Sequence, residues 1–242
     1  MHRYKISLQY DGSSFYGWQL QPDQRTVQGE LEQALTILDK NNRVVVTGAG
    51  RTDTGVHAVG QVAHFDLHRA WDNDELCRAI NGNLHSDVLV MECEQVNSAF
   101  HARFSAQRRI YEYNCRMDNF LLDRNYVWNI GSVDISTMQQ SAAIILGEHD
   151  FTGFCKYNSD LDHRRCNVYQ SLWKPGTSVL TYNVTADRFL HHMVRFLVGT
   201  MVAIGRSQLS LDQFKLMIEK PVVDKKIYRA PAHGLVLKKV IY

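Results

Sequence analysis

Polar and apolar positions alternate along Tyr4-Lys5-Ile6-Ser7-Leu8-Gln9-Tyr10, the two-residue period of a half-buried strand, and Asp11-Gly12 ends the run. Thr26 then stands where an N-cap belongs, and Val27, Leu31, Ala34, Leu35 and Leu38 recur at helical spacing. Within Arg43 to Thr47, the triplet Val44-Val45-Val46 predicts a short buried strand, which Gly48-Ala49-Gly50 breaks into a loop. Val59 to Leu67 predicts the next strand, with Ala63, Phe65 and Leu67 on one face. Asp72 caps a helix reaching about Ile80, and Val88 to Val96 is a further strand.

The rest of the chain repeats the theme. Arg108 to Cys115 predicts a strand, and a helix runs from about Asp134 to Leu146. Strands follow near Arg165–Trp173 and Ser178–Ala186, then a long helix from Arg188 to Gly205, a second from Leu211 to Lys220, and a last strand from Leu235 to Ile241. Each half mixes strands and helices without strict alternation. That pattern predicts an α+β fold with mainly antiparallel sheets and helices on one face. Two split βαβ, ferredoxin-like (RRM-like) sandwich domains fit it, one over residues 1–105 and one over residues 106–242.

Composition excludes some classes. With 45% hydrophobic and 21% charged residues, four prolines and 15 glycines in 242 positions, the chain is neither disordered nor collagen-like. No stretch reaches the ~18 consecutive apolar residues of a membrane span, so no membrane partner is expected. The N-terminus runs directly into a strand pattern without an apolar leader, so a cytoplasmic location is expected. The five cysteines, Cys77, Cys93, Cys115, Cys155 and Cys166, form no C-x-x-C pair and are expected to be free thiols. The formal net charge is only +2, but the basic excess lies in residues 106–242. A basic half suits a polyanion such as RNA, or reflects ordinary variation between halves.

Chemistry concentrates in Gly48-Ala49-Gly50-Arg51-Thr52-Asp53-Thr54-Gly55-Val56-His57-Ala58. Its glycines permit a tight loop and close approach to a ligand. Arg51, two residues from Asp53, favours the charged carboxylate, which suits a nucleophile or general base. The alternative is an Asp that caps its own turn. In the helical pattern after Arg188, the residues Arg188, His191/His192, Arg195 and Gly199 recur every three to four positions as a polar stripe on an apolar helix. A buried Arg195 needs an anionic partner, either a protein carboxylate or a substrate phosphate; otherwise the stripe faces water. In Gln107-Arg108-Arg109-Ile110-Tyr111-Glu112-Tyr113, the two tyrosines share a strand face behind two arginines. They are either a stacking surface for a base or half-buried sheet residues. His64 and His68 have metal-like spacing but no third ligand nearby, so no metal is expected. Neither a G-x-x-x-x-G-K-[ST] nor a strand-linked G-x-G-x-x-G motif occurs, and no nucleotide cofactor is expected.

At these residues the chain resembles a known family. Gly50-Arg51-Thr52-Asp53-x-Gly55-Val56-His57-Ala58 is similar to the catalytic motif of the TruA family of tRNA pseudouridine synthases. Further similar segments follow in family order: Tyr10-Asp11-Gly12 with Phe15-Tyr16-Gly17-Trp18-Gln19, then Arg25-Thr26-Val27-Gln28-Gly29-Glu30-Leu31, then Phe100-His101-Ala102-Arg103-Phe104-Ser105-Ala106 with Tyr111. His149-Asp150-Phe151-Thr152, Phe189-Leu190-His191-His192-Met193-Val194-Arg195, and Ala230-Pro231 with Gly234-Leu235 complete the set. Arg164-Arg165-Cys166-Asn167 departs from the family pattern.

The resemblance implies isomerisation of uridine to pseudouridine at positions 38, 39 and 40 of the tRNA anticodon stem-loop, without cofactor. It implies domains whose sheets form a central cleft, and a homodimer with tRNA lying across both subunits. It makes Asp53 the essential carboxylate, attacking C1′ or acting as a base at the ribose. Arg51 and Arg195 would hold Asp53 charged and positioned, and Tyr111 would stack on the target uracil. Two other classes compete. One is a non-catalytic RNA-binding module in which Asp53 is structural. The other is a glycoside hydrolase, which usually needs a pair of carboxylates where this motif has one.

Overall fold

The computed structural model describes residues 1–156, 163–222 and 227–242. In chain order the first half builds β1 (His2–Tyr10), α1 (Val27–Leu38), β2 (Thr47–Gly48), β3 (His57–Leu67), α2 (Asn73–Asn81) and β4 (Val88–Gln95). There follow β5 (Arg108–Arg116), β6 (Trp128–Asn129), α3 (Ile135–Ile144), β7 (Gly147–Asp150), β8 (Arg165–Pro175), β9 (Leu180–Ala186), α4 (Met193–Gly205), α5 (Leu211–Glu219) and β10 (Leu235–Ile241). The chain divides into two compact units, residues 1–107 with 236–242, and residues 108–235. Each is mixed α+β with a mostly antiparallel sheet.

In the first unit, β1 lies between β4 and β3, antiparallel to both, with Ile6 opposite Ala63 and Cys93. Tyr4, Ile6, Leu8 and Tyr10 are buried, as the alternating pattern requires. Thr26 caps α1 by accepting the Gly29 N–H, and Asp72 caps α2 by accepting those of Asp74 and Glu75. The buried stripe of α1, including Val27, Leu31, Ala34 and Leu35, completes the core with Leu76 and Ile80 of α2. Each of the valine, leucine and isoleucine side chains among these contributes about 1.5–3 kcal/mol when fully buried.

Two expectations are corrected here. Residues 43–46 form no strand; only the two residues of β2 pair with β3. The backbone groups of the valine run go instead to α1 side chains. Val46 N–H donates to Glu32 Oε1 at 3.0 Å, its carbonyl accepts from Gln28 Nε2 at 3.1 Å, and Val44 N–H donates to Thr36 Oγ1 at 3.3 Å. Periodicity reports burial, and it cannot tell a ladder from a segment satisfied by a helix's polar side chains. Chain order places the last strand, β10, with the second half. It runs parallel to β3, pairing Val236 with His57 and Leu237 with Ala58, so residues 236–242 belong to the first unit.

In the second unit the order is β5-β9-β8-β7, antiparallel throughout, with β6 pairing parallel to one end of β5. Helix α4 is buried nearly all round, as its composition predicts. It starts later than expected, at Met193. His192 takes a left-handed conformation (φ 65°), so residues 188–192 lie outside the helix and only Arg195 and Gly199 of the expected stripe are on it. Among the described residues, no helix is long and apolar enough to cross a membrane.

The buried His64 ring accepts the Ala102 N–H at Nδ1 (3.1 Å). Burial, reinforced by the charges of His101 and Arg3, pushes it down from 6.5 to about 4. The folded chain therefore keeps His64 neutral where the unfolded chain takes up a proton. The stability this contributes is complete above pH 6.5 and drains away as pH falls toward 4. Urea unfolding should show declining stability already between pH 6.5 and about 5, above most carboxylate titration. His64→Gln should flatten that interval, whereas an unchanged slope would assign the acid sensitivity to another group.

Candidate active site

The loop between β2 and β3 is clamped on both sides of Asp53. On entry, Ala49 N–H donates to the Val62 carbonyl (2.7 Å), and Gln61 Nε2 donates to the Gly50 carbonyl (3.0 Å). At its centre Thr52 is buried; its hydroxyl meets the Tyr10 phenol at 2.8 Å, and its carbonyl accepts the Trp18 N–H at 3.1 Å. On exit, Val56 is buried and its N–H closes a turn onto the Asp53 carbonyl (3.1 Å), with Gly55 at φ 78°. Between these anchors Asp53 is half-buried, while Arg51, before Thr52, is exposed.

The floor of the loop comes from the segment after β1. Gly17 has φ 89°, and a Cβ there would sit 2.7 Å from the Thr52 carbonyl oxygen and 3.2 Å from the Asp53 carbonyl carbon. Only glycine meets both the conformation and the approach. Burial pushes the Tyr10 phenol up to about 12, so it stays a neutral hydroxyl beside Thr52 at physiological pH. The register shift between β1 and β3 falls between Leu8 and Tyr10, where this clamp begins. Arg25 fastens the same segment, chelating both Asp87 oxygens (2.6 and 2.8 Å), donating to Glu30 (2.7 Å) and lying 4.3 Å from the Phe15 ring centre. That guanidinium holds the Asp87 carboxyl below its usual range.

Tyr111 and Arg195 belong to the second unit. Tyr111 and Tyr113 point to the buried face of β5, as their spacing predicts. Tyr111 meets Phe189 edge-to-face, with ring centres 5.1 Å apart. Arg195, in the first turn of α4, is half-exposed; its Nε donates to the Ala230 carbonyl (2.9 Å), and Ala230 N–H donates back to the Arg195 carbonyl (3.0 Å). One turn on, Gly199 lets the Tyr228 carbonyl approach so closely that a Cβ would lie 2.4 Å away. The chain continues to β5, where the Tyr113 phenol donates to the Pro231 carbonyl (2.9 Å) and Asn114 N–H donates to the Gly234 carbonyl (2.8 Å). Residues 228–234 thus fix α4, which carries Arg195, to β5, which carries Tyr111. The two arginines before Tyr111 are engaged within the unit: Arg108 lies 4.2 Å from the Tyr169 ring centre, and Arg109 donates to the Asp187 carbonyl (2.7 Å).

The metal-like pair divides into two structural roles. His64 serves the Ala102 backbone, and His68 Nδ1 lies 2.6 Å from Asp39 Oδ2. All five cysteines are free thiols. Motif reading missed the clamp residues Thr52 and Gln61 as such; the one available signal was Tyr10, an aromatic at a strand end directly before Asp-Gly.

A family model described as tRNA pseudouridine synthase matches residues 6–105 and 142–242, which include Arg51, Asp53 and Arg195. The chain belongs to this family. Curated relatives agree over the whole length. A tRNA pseudouridine synthase A of Geobacillus sp. (strain WCH70) is 38% identical over 99% of this chain and 98% of its own. One of Bacillus subtilis (strain 168) is 36% identical over 99% of each chain. One of Maridesulfovibrio salexigens is 38% identical over 100% of this chain and 91% of its own. Tyr111 falls between the two segments that the family model matches.

Within this family member the Tyr10–Thr52 contact should be measurable by itself. Tyr10→Phe removes one partner of a buried hydroxyl pair and should cost about 1–3 kcal/mol in urea unfolding. Loss of less than a few tenths would mean that Thr52 is held by its backbone contacts alone.

Proposed function

We propose that this chain isomerises uridine to pseudouridine within tRNA, with Asp53 as the essential carboxylate. The observation that carries the reading is the clamped Asp53 loop, lying inside a family match that spans most of the chain. A carboxylate on a loop anchored at Thr52 and Val56 is preorganised, and preorganisation supplies much of the rate in displacement chemistry. The reaction is redox-neutral. The C1′–N1 bond breaks, the uracil turns, C5 bonds to C1′, and the C5 proton leaves while N1 gains one. Asp53 acts either at C1′ or as a base at the ribose; Arg51 and Arg195 keep it charged and oriented. Tyr111 stacks on the target uracil, a role supported by its place on a strand braced against Phe189.

The target base is stacked in its stem-loop and has to be flipped out, at a cost of a few kcal/mol. Phosphate contacts by the basic half of the chain offset that cost and make binding salt-dependent. The same reading extends to positions 38, 39 and 40 of the anticodon stem-loop, to a homodimer, and to the cytoplasm. It also extends to two ferredoxin-like domains. In the first unit the strand order β4-β1-β3, with β2 on β3 and helices after β1 and before β4, supports a split βαβ arrangement.

Tritium release from tRNA carrying 5-tritiated uridine tests the reading, with no cofactor or metal added. Wild type should release label, and Asp53→Asn should release none while binding tRNA nearly as well; turnover by Asp53→Asn would remove Asp53 from the chemistry. No release by wild type on tRNA that it binds would favour the RNA-binding module. Tyr111→Ala should cripple release. With Tyr111→Phe, near-normal release would assign stacking alone, and a large loss would implicate the hydroxyl.

A further inference from the structure

After β4 the chain makes a five-residue turn, residues 101–105, that is bonded far more heavily than its exposure requires. His101 Nδ1 accepts the N–H groups of Arg103 (3.2 Å) and Phe104 (3.3 Å). His101 N–H donates to Ser105 Oγ (3.0 Å), and Ser105 N–H returns to the His101 carbonyl (2.9 Å). Ala102, fully buried, donates to His64 Nδ1 (3.1 Å) and accepts from the Tyr242 phenol (2.8 Å). Upstream, Arg3 Nη1 holds the carbonyls of Ser98 (2.6 Å) and Phe100 (3.0 Å).

This rigid turn presents its largest apolar side chain to water. Phe104 is 77% exposed, the most exposed aromatic among the described residues. Its ring centre lies 4.3 Å from that of His101, and the Arg103 guanidinium lies 5.6 Å from the Phe104 centre. Residues 97–107 contain no Asp or Glu. An aromatic face held in place, beside a guanidinium and an imidazole and without a nearby carboxylate on its own segment, matches the stacking-plus-phosphate chemistry of single-stranded RNA recognition. It matches an apolar protein partner less well, because Arg103 would have to be desolvated there.

We propose that Phe104, flanked by Arg103 and His101, is a stacking platform for an unpaired base of the RNA substrate, with Arg103 meeting an adjacent phosphate. The proposal rests on the reading of the chain as a tRNA-modifying enzyme and adds a substrate contact separate from the Asp53 loop. Stacking is sequence-tolerant, because every base has a π-face; the platform therefore holds the RNA in register without reading its sequence. Because the turn is already ordered by its own hydrogen bonds, binding loses little entropy there.

The test compares Phe104→Leu, Phe104→Trp and Arg103→Gln with wild type, using an in vitro transcribed tRNA. Binding is read by fluorescence anisotropy over a salt series, and turnover by tritium release. Phe104→Leu keeps apolar bulk but loses the π-face; it should weaken binding about ten-fold. KM should rise in step, kcat should hold within about two-fold, and the unfolding midpoint should not move. Phe104→Trp should bind at least as well as wild type, and RNA should quench its fluorescence beyond the quenching of the wild-type tryptophans. Arg103→Gln should reduce the slope of log K against log salt by about one. Wild-type binding by Phe104→Leu, or no added quenching in Phe104→Trp, would overturn the platform while leaving the isomerase intact. A wild-type protein that neither binds tRNA nor releases label would instead overturn the functional reading itself, and the platform with it.

Discussion

The candidate site depends on one constraint: Thr52 is buried and Asp53, the next residue, is not. Thr52 is held through its hydroxyl by Tyr10 and through its carbonyl by the Trp18 amide. Asp53 takes its position from these anchors and from the turn that its own carbonyl closes with the Val56 N–H (3.1 Å). The contacts that fix Thr52 come from a backbone amide and from a neutral phenol. This division of labour explains the glycine at position 17. A side chain there would push the Thr52 carbonyl away and release the clamp.

The second unit solves the same problem with a strap in place of a loop. Arg195 and Tyr111 are far apart in sequence and lie on different kinds of element. Residues 228–234 touch both elements, pairing with Arg195 through Ala230 and with the Tyr113 neighbourhood through Pro231 and Gly234. The close approaches at Gly199 and Gly234 show that the strap is seated against backbone and ring, with no room for a side chain between. In both units the residues without obvious reactivity are the ones that set the candidate site residues in place.

Much of this was legible beforehand. The α1 and α2 helices announced themselves by their caps, Thr26 and Asp72, because a hydroxyl or carboxylate before a helix satisfies its first amides locally. β1 was legible because its alternation is continuous. The valine run at residues 44–46 misled, since its backbone is satisfied by Gln28, Glu32 and Thr36 of a helix eight or more residues earlier. The start of α4 misled for a local reason: His192 adopts a left-handed turn that helical spacing does not register.

The sequence by itself determined the α+β class, the five helices, the longer strands, and the small group of residues with chemistry to offer, Asp53 foremost. These follow from local periodicity and from motifs read in order, which need no knowledge of distant contacts. Tertiary structure alone decided that Tyr10, Gly17 and Gln61 are what hold the Asp53 loop, that β10 returns to β3, and that His64 is a neutral acceptor for a backbone amide. Each of these depends on partners between 11 and more than 170 residues apart, and the pairing of groups that distant is set by close packing and hydrogen-bond satisfaction in the assembled core.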